Sequence, residues 1–360
     1  MRFNVRQGAA ALLAGVLALS GCSSDDTAST SGDEATTTAA ASAAASYPVT
    51  VTNCGRELTF DAAPKRVLIL NGTSVGEVET FITLGLESSI VANAQSYGVS
   101  DDPDMVAKVA ELPTGGITLD QSTYEVPKEQ IVNLRPDLVV STWAGGFSKT
   151  AGTLTRDELD DLGIASYVTP SNCAYGDDAA SDADKAAYAA QSYESSYDLV
   201  RDLGTIFGVE DRAAEFIADS EKRIAEAKVE ATGDAPKVLL AFPGMSMMNS
   251  SGLPAVFGGS LYDSIIAAAG GENSFKGRQF MEMSTINAED LAAADVDVLA
   301  VGLFQPTDDA KEMAEALFAQ YPQWSASKNK AYVGVADGVY LGPNNAIAIE
   351  KLAKAIADAR

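Results

Sequence analysis

Histidine is absent from all 360 residues, and cysteine (three), tryptophan (two) and basic side chains are scarce. Without His there is no Ser–His or Cys–His nucleophile pair and no imidazole to hold a metal. Twenty-five Lys and Arg against 50 Asp and Glu leave a net charge of −25. That surface disfavours nucleic acid and anionic lipid head groups. No Walker or Gly-x-Gly-x-x-Gly phosphate loop occurs. The acidic clusters Asp101-Asp102-Asp104 and Asp177-Asp178 lack EF-hand spacing and read as solvated loops. Ser325-Ala-Ser-Lys328 matches the Ser-x-x-Lys of penicillin-recognising enzymes, but the partner motifs are missing and a loop is expected there. Neither a catalytic residue nor a metal site is expected. Beyond the first 21 residues no apolar stretch approaches membrane-spanning length.

What is present begins with an address. Arg2 and Arg6 precede an apolar run from Ala9 to Leu19, then Leu19-Ser20-Gly21-Cys22. The run is too short for a permanent membrane span and reads as a secretory signal over residues 1–21. The segment resembles the lipobox of bacterial lipoproteins, which implies that Cys22 becomes the lipidated first residue. An ordinary signal peptide with an incidental Cys is the alternative. Removing residues 1–21 takes away two Arg and no acid, so the mature charge is −27. Residues 22–46 are nearly all Ser, Thr, Ala, Gly, Asp and Glu, which cannot bury enough surface to offset ordering, and read as a tether. With Cys22 used by the lipid, Cys54 and Cys173 are expected to pair in an exported chain, two separate buried thiols being the alternative.

Residues 47–360 are long enough for two lobes. Val49–Phe60 alternates around Cys54-Gly55 as a small hairpin. Strands are expected at 65–70, 90–94, 137–141 and 162–168, with helices over 75–84 and 127–134 between them. From Asp182 to Ala231 the pattern is helical, broken near Gly208. Its last part, from Asp211, is long enough to cross between lobes at about 30 Å. The alternation then restarts with strands 237–242, 296–303 and 331–335 and helices 261–269, 288–293, 309–321 and 344–359. The expected fold class is α/β: two Rossmann-like lobes with parallel sheets, over 47–208 and 233–360, joined by a rigid helix over 209–232. The halves echo one another. Glu129 to Asp137 leads a helix into a strand, and Glu289 to Asp297 does so at identical spacing; Leu84-Gly85 parallels Ala269-Gly270.

Pro64-Lys-Arg-Val-Leu68, the helix ending Leu84-Gly85, Leu134-Arg-Pro-Asp-Leu-Val-Val140 and Ala269-Gly-Gly-Glu-Asn-Ser-Phe275, in that order, resemble the iron-siderophore and cobalamin class (class III, helical-backbone) of ABC-importer substrate-binding lipoproteins. The resemblance covers the mature region. It implies an extracytoplasmic protein, lipid-anchored on the outer face of the cytoplasmic membrane, that is no enzyme and has no cofactor. Iron enters only within a bound chelate. Its partners would be a ferric siderophore or similar bulky chelate, an ABC permease and its ATPase; the protein itself would be a monomer. A corrinoid, haem or other bulky cofactor is the rival ligand, and a surface enzyme or structural lipoprotein the rival class. The resemblance also implies that Glu129 and Glu289, one per lobe, dock into arginine pockets on the permease; helix N-terminal Glu facing its own dipole is the alternative.

In open α/β lobes ligands sit beyond the carboxyl ends of strands. That rule selects Asn71, Tyr97, Trp143 and Phe147 in the first lobe and Met245, Met247, Arg278, Phe304 and Tyr340 in the second. Trp143 offers a stacking wall or caps the core. The methionines form an adaptable surface or simply pack. Arg278 pairs with an anionic ligand group or stays solvated.

Overall fold

The structure, a computed structural model, describes residues 46–360 apart from Thr73, Tyr97, Gln279 and residues 230–232. The signal, the lipidation site Cys22 and all of the tether but Ser46 lie outside the described residues, as does the ligand candidate Tyr97.

The described chain opens with a hairpin, β1 (Val49–Asn53) against β2 (Arg56–Phe60). Its two-residue turn, Cys54-Gly55, has positive φ at both positions (51° and 73°), as a tight hairpin matching strand twist requires. The first lobe then alternates β3 (Val67–Ile69), α1 (Gly76–Thr83), β4 (Ile90–Asn93), α2 (Pro103–Ala110), α3 (Lys128–Leu134), β5 (Leu138–Ser141), α4 (Arg156–Asp161) and β6 (Ala165–Val168). Its sheet is wholly parallel in the order β4-β3-β5-β6. Because side chains alternate across a strand, both faces are apolar. Val67, Ile69, Leu138 and Val140 enter one core, and Leu68, Leu70, Val139 and Val168 enter the other.

Three helices follow: α5 (Asp182–Ala189), α6 (Ser196–Phe207) and α7 (Glu210–Ala227). Gly208, at φ 66°, ends α6. At 18 residues α7 is shorter than the 211–231 expected, about 27 Å long, and Lys228 (φ −55°, ψ 123°) leaves the helix. It nonetheless serves both lobes. Ala213 and Ile217 join the core of the first, and Ile224 joins that of the second.

The second lobe contains β7 (Lys237–Phe242), β8 (Ala255–Val256), α8 (Ser260–Ala268), β9 (Glu272–Asn273), α9 (Ala288–Ala293), β10 (Val298–Gly302), α10 (Ala310–Gln320), α11 (Ser325–Asn329), β11 (Tyr332–Val335) and α12 (Asn345–Asp358). The order is β11-β10-β7-β8, with β9 also on β7; β8 is a short antiparallel addition to an otherwise parallel sheet. The Ser-x-x-Lys segment is helix α11, not a loop. Ser327 is buried there and donates to the Tyr321 carbonyl, while Lys328 is exposed.

The repeat seen in the sequence has a structural meaning. Asp137 accepts the backbone N–H groups of Lys65 and Arg66 at 2.8 and 2.9 Å, and Asp297 accepts that of Lys237 at 2.8 Å. Each aspartate thus ties the start of its own strand to the start of the neighbouring one. Gly85 and Gly270 both have positive φ (63° and 92°) just past their helices, a conformation that costs a side chain.

Candidate functional site

A cleft of about 390 Å³ opens between the lobes at the carboxyl ends of the strands. From the first lobe come Ser74 after β3, Thr142 after β5, Asn172 and Tyr175 after β6, and Tyr188 and Gln191 from α5 and its end. From the second come Met245 and Met248 after β7, Phe257 to Tyr262 around the start of α8, and Tyr340 with Leu341 beyond β11. Among the described residues no charged side chain lines it.

The two walls differ in chemistry. The second-lobe wall is an aromatic cluster: Phe257 packs on Phe242 at 4.6 Å and edge-on to Tyr262 at 5.1 Å, with Tyr340 about 6 Å from both phenylalanines. Met245 lies beside it, its Sδ 3.9 Å from the Tyr340 hydroxyl. Burial pushes the hydroxyls of Tyr262 and Tyr340 up, and Tyr188 and Tyr175 likewise, so all four stay protonated donors.

Beneath the first-lobe wall lies a buried polar network. Glu77, in the first turn of α1, accepts from Gln95 and Thr142 at 2.7 Å each, and from Thr169. Asn172 donates to the Thr142 carbonyl at 2.8 Å. With all donors met, a carboxylate that is 1% exposed is held in place.

The sequence-selected residues divide. Met245 and Tyr340 line the cleft. Trp143 sits one ring back: its ring lies against Tyr175 at 5.1 Å, tilted by 45°, and so close to Gly145 and Gly176 that a side chain at either would collide with it. Its Nε1 and the Oε2 of Glu125 are both buried without a completed hydrogen bond. Burial pushes the Glu125 carboxyl up to about 7, the indole N–H pulling the other way.

The remaining candidates need correction. Phe147 is 6% exposed and belongs to the first-lobe core, since the Gly145-Gly146 turn folds the chain back under the sheet. Asn71 is spent on the Tyr124 carbonyl at 2.7 Å and does not reach the cleft. Met247 points to solvent at 76% exposure, and its neighbour Met248 lines the site instead, because the turn Pro243–Met248 presents alternate faces. Arg278 lies over the Phe275 ring at 5.3 Å, with Asp290 at 3.7 Å, away from the cleft. Phe304 is exposed on a turn capped by Asp308, outside the lining. Sequence reasoning missed Tyr175, Tyr188 and Tyr262, the first two lying on a segment with no aliphatic side chain larger than Ala, which gave no strand or core signal.

Cys54 and Cys173 are joined, their Cα atoms 5.2 Å apart, which fastens the chain just before Tyr175 to the opening hairpin. Glu129 and Glu289 are each the second residue of their helix, α3 and α9, and both are exposed. Neither lines the cleft.

The lobes meet around a second polar cluster behind Tyr340. Asp101 of the first lobe accepts the N–H groups of Ala336 and Gly338 at 2.9 Å and pairs with Lys351 of α12 at 2.7 Å. Asp337 answers by accepting from Ser100 at 2.9 Å and from the Asp101 N–H. Asn344 spans the two sides, donating to Asp337 and to Glu79 of α1 at 2.7 and 3.1 Å.

Comparison with known proteins adds a family and a fold. The sequence pattern of a family described as periplasmic binding protein matches residues 73–333. Among solved structures, an ABC-type Fe3+-hydroxamate transport system protein from Saccharomonospora viridis is 21% identical, with a TM-score of 0.60 over 86% of this chain and 99% of its own. The petrobactin-binding protein YclQ from Bacillus subtilis is 16% identical, at 0.59 over 87% and 99%. The haem-binding RhuT from Roseiflexus is 19% identical, at 0.52 over 82% and 98%. At such identities the likeness is one of fold.

Proposed function

This chain belongs to the periplasmic binding protein family, and from that premise we propose that it is the extracytoplasmic receptor of an ABC importer for a ferric siderophore without net negative charge. The observation that carries the ligand is the cleft itself: four tyrosines, a phenylalanine and two methionines with no cation among them, in a protein of net charge −25. An anionic catecholate or carboxylate chelate entering it would lose its hydration with nothing to neutralise it. Three hydroxamates around Fe3+ form a neutral complex, which needs no cation in the walls. The likeness to the hydroxamate-system protein supports the same reading.

A flat tetrapyrrole is the second reading, favoured by the aromatic walls. With no His, haem iron would need Tyr or Met, and Tyr340 beside Met245 is the pair at hand. In either case the protein releases its solute unchanged. A lipid on Cys22 keeps it at the outer face of the cytoplasmic membrane as a monomer, and Glu129 and Glu289 orient it on the permease.

Native mass spectrometry and fluorescence titration of the mature chain with four chelates test this: ferrichrome (a neutral ferric trihydroxamate), an anionic ferric tricatecholate, cobalamin and haem. Ferrichrome is expected to bind at micromolar concentration or better. Retention of the tricatecholate alone, or of none, overturns the proposal.

A further inference from the structure

The cleft wall between β6 and α6 is held differently from the rest. This stretch supplies Asn172, Tyr175, Tyr188 and Gln191, yet α5 within it buries none of its eight residues. A helix that short, with no apolar face against a core, does not order itself. Its order comes from its ends. At one end Cys173 is bonded to Cys54 in the hairpin, and the Tyr175 carbonyl accepts from Gly145 at 3.1 Å. At the other, the Ala189 carbonyl accepts from Ser260 at 2.6 Å and the Tyr193 N–H donates to Ser264 at 3.0 Å, both serines on α8 of the second lobe. Gln191 closes the stretch on itself through Asn172 at 2.6 Å. Between the ends Tyr188 stacks on Tyr175 (5.6 Å, 16°), which rests on Trp143.

From this we infer that the segment Cys173–Gln191 is a strap across the edge of the cleft that reads the ligand through the Tyr175 and Tyr188 hydroxyls, and that the Cys54–Cys173 bond positions it. The inference rests on the receptor reading above. Polar atoms elsewhere on the wall are already engaged: Thr142 by Glu77, Asn172 by the Thr142 carbonyl, Ser260 by the Ala189 carbonyl. The Tyr175 and Tyr188 hydroxyls make no hydrogen bond among the described residues, and burial keeps both protonated. Two adjacent donors on a rigid ring stack suit ligand oxygens such as those around a chelated metal.

Two variants of the mature chain test this. In Cys54→Ser/Cys173→Ser, hydrogen exchange at pH 7 is expected to quicken at least tenfold in peptides covering 174–191, while the strands of both sheets keep wild-type protection. Unchanged strap exchange, or faster exchange throughout both sheets, overturns the positioning role. Tyr175→Phe/Tyr188→Phe keeps the rings and removes only the hydroxyls. It is expected to bind at least tenfold more weakly whichever of the four chelates the wild type retains, with strap exchange unaltered. Wild-type affinity in that variant overturns the reading role. A wild-type chain that binds none of the four sinks the receptor reading and the tyrosines' role with it, while the exchange experiment still decides the strap.

Discussion

Asp101→Ala probes the polar cluster that fastens the lobes behind the cleft. The carboxylate has no exposed side-chain surface and accepts three hydrogen bonds from the opposite lobe, two from backbone N–H groups at 2.9 Å and one from Lys351 at 2.7 Å. Truncation leaves the Ala336 and Gly338 amides without an acceptor, at about 1–3 kcal/mol each, and removes one charge-assisted bond of about 1.5–3 kcal/mol. Lys351, 39% exposed, regains water. Relief from burying an ionised carboxylate offsets part of the sum, so the expected loss is about 3 kcal/mol, the low end for a broken buried pair. Urea unfolding of the mature chain should show a midpoint lowered by about 1 M at a slope near 3 kcal/mol/M. The pH dependence gives a second check. Burial first, and the neighbouring Asp337, raise the Asp101 carboxyl above its ordinary value despite Lys351. A raised folded value contributes stability that is complete below the unfolded value, near 3.8, and is lost as pH rises through the folded one. The deficit of Asp101→Ala should therefore be larger at pH 4 than at pH 7. A deficit under 1 kcal/mol at both pH values would refute the reasoning.

Charge reversal at Glu129 and Glu289 together should leave chelate affinity and thermal midpoint within error of wild type while abolishing uptake in cells, because like charges would meet at the permease; normal uptake would sink the docking role. Phe147→Ala should cost about 3–4 kcal/mol in chemical denaturation with affinity unchanged, and weakened binding in a folded variant would return Phe147 to the cleft. Glu125, pushed up to about 7, contributes stability below the unfolded value that is lost as pH rises through 7. Glu125→Gln should therefore gain on wild type as pH rises from about 4.5 to 7 in thermal melts, and parallel profiles would show the carboxyl to be unshifted.

The longer strands and helices of both lobes were legible because they carry their period, and Lys237–Phe242 and Ala288–Ala293 stand where the pattern put them, whereas α2, α4, α11, β8 and β9 are too short or too polar to have been expected. The cleft was legible only as a set of loops. Met245 and Tyr340 were found because the carboxyl ends of strands are a topological property, readable without knowing side-chain directions. Phe147 and Arg278 failed for the converse reason. Both follow the right strands, but a Gly-Gly turn sends one into the core and a short loop lays the other over Phe275. Tyr175 and Tyr188 escaped notice because nothing local marks them. They become a wall only once the disulfide and α8 bring their segment over the cleft.

By itself, then, the sequence determined what depends on order along the chain: the alternation that makes two parallel sheets, the Glu-to-Asp repeat, the glycines that end equivalent helices, and the lack of any imidazole to hold a bare metal. The tertiary structure decided which side chains converge. Convergence depends on contacts between residues far apart in the chain, Cys54 with Cys173, Ala189 with Ser260 and Asp101 with Lys351, and no local pattern encodes those distances. An aromatic cleft with no charged side chain among its described residues is a property of that convergence alone.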